Sequence, residues 1–393
     1  MRVVRDVGLA EDLAQEALVA ALERWPDTGM PDNPGAWLMA TAKHRALDQL
    51  RRQRMQERKH ETIGAESPSW EAPSDPEEDV GDDVLRLILI ACHPVLSAEA
   101  RVALTLRLLG GLTTGEIARA YLVPEVTIAQ RIVRAKRSLA EAKVPFEVPR
   151  GGELSARLPS VLEVVYLIFN EGYAATRGDD WMRTELCDDA LRLGRILAGL
   201  VPGEAEVLGL VALMELHASR SRARVGPTGE PILLLDQDRG RWDLVLIRRG
   251  LAALERAEDL ARPLGPYVLQ AAIAGCHARA RSGDETDWKR IVALYDALAE
   301  ITRSPVVELN RAVAVAMAFG PAEGLEIVEA LAGEPALAAY HLLPSVRGDL
   351  LSRLGRHHEA RTEFERAASL AENTRERELL LARARRETTG TSP

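Results

Sequence analysis

Two basic stretches with helical character, residues 37–59 and 113–137, flank a segment, residues 61–83, that holds nine acidic side chains and no Lys or Arg. That acidic segment also carries Pro68, Pro73 and Pro76, and its apolar content is too low to fold alone, so the chain is expected to divide there. A charged coil of this length has a root-mean-square reach of roughly 25 Å, enough for the flanking domains to sit on two separate targets. The formal charge of the whole chain is −9, yet residues 41–60 and residues 101–143 each carry a local net charge of +5. Local patches steer binding, so the acidic total does not exclude nucleic acid.

A chain of 393 residues is too long for one compact core, and two or three domains are expected. Aromatics make up only 4% while Ala, Leu, Arg and Glu dominate, which points to an all-α fold. Cys92, Cys187 and Cys276 have no metal-ligand spacing and suit core positions in a reducing compartment. No run of 18 apolar residues spans a bilayer, so no membrane association and a cytoplasmic location are expected.

Periodicity predicts a helix over 6–24, with Leu9, Leu13, Ala17, Val19 and Leu22 as its buried stripe, then a loop over 25–33 and a helix over 35–59. Residues 84–143 read as four helices, 84–92, 97–109, 114–121 and 125–142. Pro145, Pro149, Gly151 and Gly152 mark a boundary, and from 153 onward helix pairs follow with short Gly/Pro breaks. Gly348, Leu351, Ala360, Phe364 and Ala367 stand at the offsets of a tetratricopeptide repeat (TPR), and Ala312, Val315, Gly324, Val328 and Leu331 repeat them 36 residues upstream. The dipeptides Phe319-Gly320 and Leu354-Gly355 fall at matching inter-helix turns. A TPR-like α-solenoid over 153–393 is expected, with a generic helical bundle as the alternative.

The last two helices of 84–143 have helix-turn-helix spacing. Thr113 and Glu116 form a capping-box pair, Ala118 allows close helix approach, Leu122 occupies the turn, Pro124 opens the second helix and Ile128 anchors it. Glu125, Thr127, Gln130, Arg131 and Arg134 would then face a DNA major groove or its phosphates. The 35–59 helix combines Trp37 with Lys43, His44, Asp48, Arg51, Arg52 and Arg54, a mixture suited to single-stranded nucleic acid, although Trp37 also fits a core position.

The order of these elements resembles that of an extracytoplasmic-function (ECF) sigma factor of bacterial RNA polymerase. LAEDLAQEALVAALERWP resembles the core-polymerase-binding part of sigma region 2, NPGAWLMATAKHRALDQLRRQR the part that melts and reads the −10 element, and GLTTGEIARAYLVPEVTIAQRIVRAKRSL region 4, which reads the −35 element. FNEGY, RVGPTGEPILLLDQDRGRW and the TPR-like end resemble the ECF group with a large C-terminal TPR-like domain, in which the extension takes part in activity. The resemblance implies a polymerase-docking role for Asp12, Gln15, Glu16 and Arg24, and −10 recognition by Trp37, His44, Asp48, Arg51 and Arg52, with His44 standing where many members have Asn. It implies core RNA polymerase and promoter DNA as partners, a protein partner for the TPR-like domain, and no cofactor.

The implied division is region 2 over 1–60, with the helix that precedes it in the family missing, an acidic linker over 61–83, region 4 over 84–143, a linker over 144–152 and the TPR-like domain over 153–393. A conventional helix-turn-helix regulator and a TPR scaffold are the competing functional classes. Asp236 and Asp238, the stretch 177–180, His93-Pro94 and His357-His358 fit loops, turns and exposed positions better than metal or ligand sites, and no hydrolase triad, phosphate loop or zinc motif is present.

Overall fold

A computed structural model describes residues 7–31, 33–58, 76–110, 112–121, 123–144, 152–176, 178–260 and 262–389. Among these residues the secondary structure is helical, with no strand beyond two isolated bridge pairs. None of the described helices is long and apolar enough to cross a membrane. The chain forms two compact units, one of residues 1–117 with 125–161, the other of 118–124 with 162–393.

The first unit opens with α1 (Val7–Thr28) and α2 (Pro34–Arg58). α1 runs past the expected end at 24, taking Pro26 into its last turn, where only one hydrogen bond is forfeited. It stops at Gly29, whose φ of +80° suits only glycine at low cost and whose N–H bonds to the Trp25 carbonyl at 2.9 Å. Asn33 caps α2 by accepting from the Ala36 N–H at 3.0 Å, just ahead of Pro34. The buried stripe of α1 is Leu13, Ala17, Ala20 and Ala21, facing Ala46 of α2. Val19 and Leu22, expected inside, are 52% and 76% exposed. Short alanine side chains let two helices approach closely, and that face is buried in preference to the bulkier one.

α3 (Pro76–Ala91) begins eight residues before the expected start at 84, so the end of the acidic segment is helical. Pro76 followed by Glu77, Glu78 and Asp79 is a favoured helix opening, because proline fits the first turn and carboxylates complement the positive helix end. α4 (Ala98–Thr105) is capped by Ser97 and passes into a π-helical turn, Leu106–Gly110, where plain α-helix was expected. α5 (Thr114–Ala120) and α6 (Glu125–Glu141) follow. The core combines Leu85, Ile88 and Leu89 of α3 with Val102 and Leu104 of α4 and Ile128, Ile132 and Leu139 of α6. Ser160, in the first half of α7 (Gly152–Tyr173), donates to the Cys92 carbonyl at 2.6 Å and is bonded to Arg101.

In the second unit the rest of α7 is followed by α8 (Thr184–Leu200), α9 (Ala205–Ala218), α10 (Leu244–Leu260), α11 (Pro266–Arg279), α12 (Trp288–Thr302), α13 (Pro305–Ala318), α14 (Pro321–Ala330), α15 (Leu342–Arg353), α16 (His357–Leu370) and α17 (Thr374–Thr389). Helices pack mainly on their neighbours in sequence, as α13 on α14 and α15 on α16. Gly324 and Gly348 lie where those two pairs touch: a Cβ on Gly324 would sit 2.7 Å from the Ala312 carbonyl oxygen, and one on Gly348 3.0 Å from the Phe364 ring. Phe319-Gly320 and Leu354-Gly355 form the expected inter-helix turns, with φ of +132° and +74° at the glycines. Asn373 then ties the start of α17 to the loop after α7: its fully buried amide donates to the carbonyls of Ala175 at 3.1 Å and Asp180 at 2.9 Å.

The motif FNEGY resolves into separate tasks. Phe169 is fully buried, Glu171 pairs with Arg183, and Gly172 passes so close to α8 that a Cβ would meet the Cys187 nitrogen at 2.7 Å. All three cysteines are buried, and none of them forms a disulfide. His357, expected at the surface, is half-buried, with Nδ1 2.6 Å from a Glu387 carboxylate oxygen.

Candidate nucleic-acid interface

Local capping positions the second helix of the helix-turn-helix. The Thr113 hydroxyl accepts from the Glu116 N–H at 3.2 Å while the Glu116 carboxylate accepts from the Thr113 N–H at 2.7 Å, so both ends of the expected capping box are made. The Glu125 carboxylate accepts from the Thr114 hydroxyl at 3.0 Å and holds the start of α6 beside the start of α5. Ile128, Ile132, Ala135 and Leu139 turn inward from α6. Thr127, Gln130, Arg131 and Arg134 share the outer face at helical spacing, with Gln130 and Arg134 exposed and Thr127 and Arg131 half-buried. Glu125 is also exposed. The Glu99 carboxyl is held below its ordinary range by hydrogen bonds from its own backbone and Ser97, with Arg131 and Arg101 adding to the effect. Leu122 of the turn lies outside the described residues.

On the first two helices, Asp12, Gln15, Glu16 and Arg24 are all exposed on α1. Glu16 pairs with Arg45 of α2 at 2.8 Å, and the Gln15 amide donates to Glu11 at 3.3 Å. Trp37 is half-buried, edge-on to Trp25 with 5.5 Å between ring centres, an arrangement that fixes the start of α2 against the end of α1. Lys43 is half-buried and His44 exposed. The side chains of Asp48, Arg51, Arg52 and Arg54 lie outside the described residues, although the α2 backbone continues through them.

A further set of contacts joins segments that are distant in the sequence. The Glu11 carboxylate receives Arg107 Nε at 3.2 Å through one oxygen and Lys136 Nζ at 2.6 Å through the other. All three side chains are at least about three-quarters buried, so these ion pairs are screened less than surface pairs. Arg107 sits on the π-helical turn and also donates to the Leu112 carbonyl at 3.1 Å. The basic run that contains Lys136 is legible in the sequence, but its acidic partner lies 125 residues away. No group of three or more His, Cys, Asp or Glu side chains that could hold a metal occurs among the described residues.

Comparison with known families matches residues 1–55 to sigma-70 region 2, residues 86–139 to sigma-70 region 4, and residues 157–258 to a family of unknown function, DUF6596. An uncharacterized protein of Rhizobium meliloti (strain 1021) is 43% identical over 385 residues, covering 96% of this chain and 89% of that protein. The ECF RNA polymerase sigma factor SigK of Mycobacterium tuberculosis (strain ATCC 25618 / H37Rv) is 32% identical over 148 residues, covering 35% of this chain and 74% of SigK. The probable ECF RNA polymerase sigma factor SigI of Mycobacterium tuberculosis (strain CDC 1551 / Oshkosh) is 29% identical over 150 residues, 37% of this chain and 51% of SigI. Sigma region 2 and region 4 imply binding of core RNA polymerase and of promoter DNA, without chemistry performed by the chain itself. The chain belongs to the ECF family of RNA polymerase sigma factors, carrying regions 2 and 4 in its N-terminal part and a DUF6596 domain behind them.

Proposed function

We propose that this sigma factor docks on core polymerase through Asp12, Gln15, Glu16 and Arg24 of α1, opens and reads the −10 element with α2, and reads the −35 element with the outer face of α6. The observation that carries this assignment most directly is the division of α6: an inward apolar row and an outer row on which Gln130 and Arg134 are exposed. Gln130 and Arg134 supply the amide and guanidinium donors that read base edges or grip phosphates in a major groove. On α2, Trp37, Lys43, His44, Asp48, Arg51, Arg52 and Arg54 are assigned to strand separation, for which cations track the phosphates and an extruded base needs a pocket. Neither module need be tight alone, since docking both on polymerase makes the second contact effectively intramolecular and raises avidity by about 10²–10⁴.

The C-terminal unit is proposed to be TPR-like, to place the protein in the ECF group with a large C-terminal domain of that kind, and to control or support activity through a protein partner in the cytoplasm. The burial of Ala312, Val328, Leu351, Ala360, Phe364 and Ala367 at the repeat offsets supports this reading. The test is promoter opening by core polymerase with the full chain against the Arg51→Ala, Arg52→Ala double variant. Loss of opening with retained polymerase binding is expected; normal opening by the double variant would refute the assignment of α2.

A further inference from the structure

Two stretches of the second unit have no task in promoter recognition: the turn after α7, around 178–182, and the segment 221–229. Together with Arg375 of α17 they line one cavity of about 360 Å³. Backbone contacts tie the three segments to one another. The Thr374 N–H donates to the Gly178 carbonyl at 3.0 Å, beside the Asn373 amide that holds the carbonyls of Ala175 and Asp180. The Ile232 N–H donates to the Arg224 carbonyl at 2.8 Å and the Gly226 N–H to the Glu230 carbonyl at 2.9 Å, which closes the loop that follows 221–225. The Arg224 guanidinium carbon lies 3.4 Å from the centre of the Tyr173 ring and 5.5 Å from that of Trp181, so this loop is anchored to the turn after α7. The cavity walls are thus fixed in advance, which lowers the ordering cost of binding.

The charges on these walls are of both signs and are not spent on each other. Asp179, Asp180 and Arg222 line the cavity with exposed side chains, and among the described residues none of the three side chains makes an ion pair or a hydrogen bond. Arg375 pairs with Glu378 at 3.2 Å through Nη1, while its Nη2 lies 3.7 Å from where a Cβ on Gly229 would stand. Two carboxylates and two guanidiniums therefore border one cavity beyond ion-pair distance of one another. A ligand anionic throughout is disfavoured by the aspartates, and one cationic throughout by the arginines. A molecule with both charges complements the whole set, and guanidinium forks match a carboxylate in particular. Trp181, Met182 and Val225, all half-buried, give the lining its apolar part.

We propose that this cavity of the C-terminal unit binds a free amino acid with an apolar side chain. Its ammonium group meets Asp179 and Asp180, its carboxylate meets Arg222 and Arg375, and its side chain lies on Trp181, Met182 and Val225. The volume falls within the range of about 300–1,000 Å³ usual for small-molecule sites. The inference does not depend on the assignment of α1, α2 or α6 to polymerase or DNA.

The experiment follows thermal unfolding and calorimetry of the full chain with L-leucine, L-methionine, L-phenylalanine and L-tryptophan, each against glycine at equal concentration. A saturable rise in Tm with at least one of the four is expected. The decarboxylated amine and the deaminated acid of the best ligand should each bind at least tenfold more weakly, since each lacks one charged end. Arg222→Gln should weaken binding of the amino acid about fivefold and leave that of the amine unchanged. The Asp179→Asn, Asp180→Asn double variant should weaken the amino acid about fivefold and leave the acid unchanged. All three side chains are exposed, so the variants should fold, with far-UV circular dichroism as the check. A Tm no higher with any of the four than with glycine would overturn the proposal. Amino-acid binding undiminished in the variants, or analogues that bind as tightly as the amino acid, would overturn it equally.

Discussion

Glu11 of α1 and Lys136 of α6 meet at 2.6 Å, an ion pair that joins region 2 to region 4 within the first unit. Arg107 completes the contact from the π-helical turn. If α1 docks on polymerase and α6 reads the −35 element, this contact must be given up before the two regions can occupy separate promoter elements. The free protein is then a latched form, and polymerase binding has to outweigh the latch.

Glu11→Ala should release both cations at once. Two charge-assisted contacts that are mostly shielded from solvent contribute about 1–3 kcal/mol together, and less at high salt. Energy transfer between dyes on the exposed positions Met30 and Glu141 should fall in the variant, reporting a wider separation of α1 and α6. Unchanged transfer would show that the ion pairs do not hold the two regions together.

The capping box at Thr113 is the second point of leverage. Thr113→Ala removes the acceptor of the Glu116 N–H, a loss of about 1 kcal/mol for a helix start. Amide hydrogen exchange at Glu116 and Ile117 should quicken about fivefold, and binding of the −35 element should weaken with it.

Gly324 and Gly348 separate two kinds of close approach. A Cβ on Gly324 would sit 2.5 Å from the Ala316 Cβ and 2.7 Å from the Ala312 carbonyl oxygen, both fixed to the α13 backbone, whereas on Gly348 it meets the Phe364 ring at 3.0 Å before the Ala360 carbonyl oxygen at 3.2 Å. Backbone cannot yield as a ring can, so Gly324→Ala should cost about 2–3 kcal/mol and Gly348→Ala about 1 kcal/mol. Urea unfolding of the two variants measures the difference, and equal losses would contradict the packing described for α13 and α14.

The buried imidazoles make the second unit acid-sensitive. His277 is pushed down to about 4, by burial first and then by Arg220 and Arg239, and His217 is lowered by burial first and then by Arg220 and Arg224. The folded state keeps both neutral, while the unfolded chain takes up protons below the ordinary histidine value. Stability from His277 is therefore complete above about pH 6.5 and is lost as pH falls toward 4, with a slope approaching 1.4 kcal/mol per pH unit. Tm measured from pH 7.5 to 4.5 should fall more steeply for the native chain than for His277→Gln, once the variant's lower starting Tm is taken into account.

The all-helical fold and the helix-turn-helix could be read in the sequence because their signals are local. Thr113, Glu116 and Ile128 act within a few residues of one another, and Phe319-Gly320 and Leu354-Gly355 mark turns through backbone freedom alone. The buried face of α1 was misjudged because Ala20 and Ala21 are less hydrophobic than Val19 and Leu22, yet their small size sets how closely α2 can approach. The early start of α3 was hidden by an acidic composition that reads as linker, although the same carboxylates favour a helix opening. Glu11 with Lys136, Asn373 with Asp180, and Arg224 with Tyr173 are products of tertiary packing between distant segments, and no local pattern announces them.

The most direct test of the central claim is retention of core RNA polymerase by the immobilised full chain, compared with an Asp12→Lys, Glu16→Lys variant. Near-stoichiometric retention by the native chain, weakened at least tenfold in the variant, is the predicted result. Failure to retain core polymerase while duplex DNA is still bound would contradict the account and assign the chain to conventional helix-turn-helix regulation.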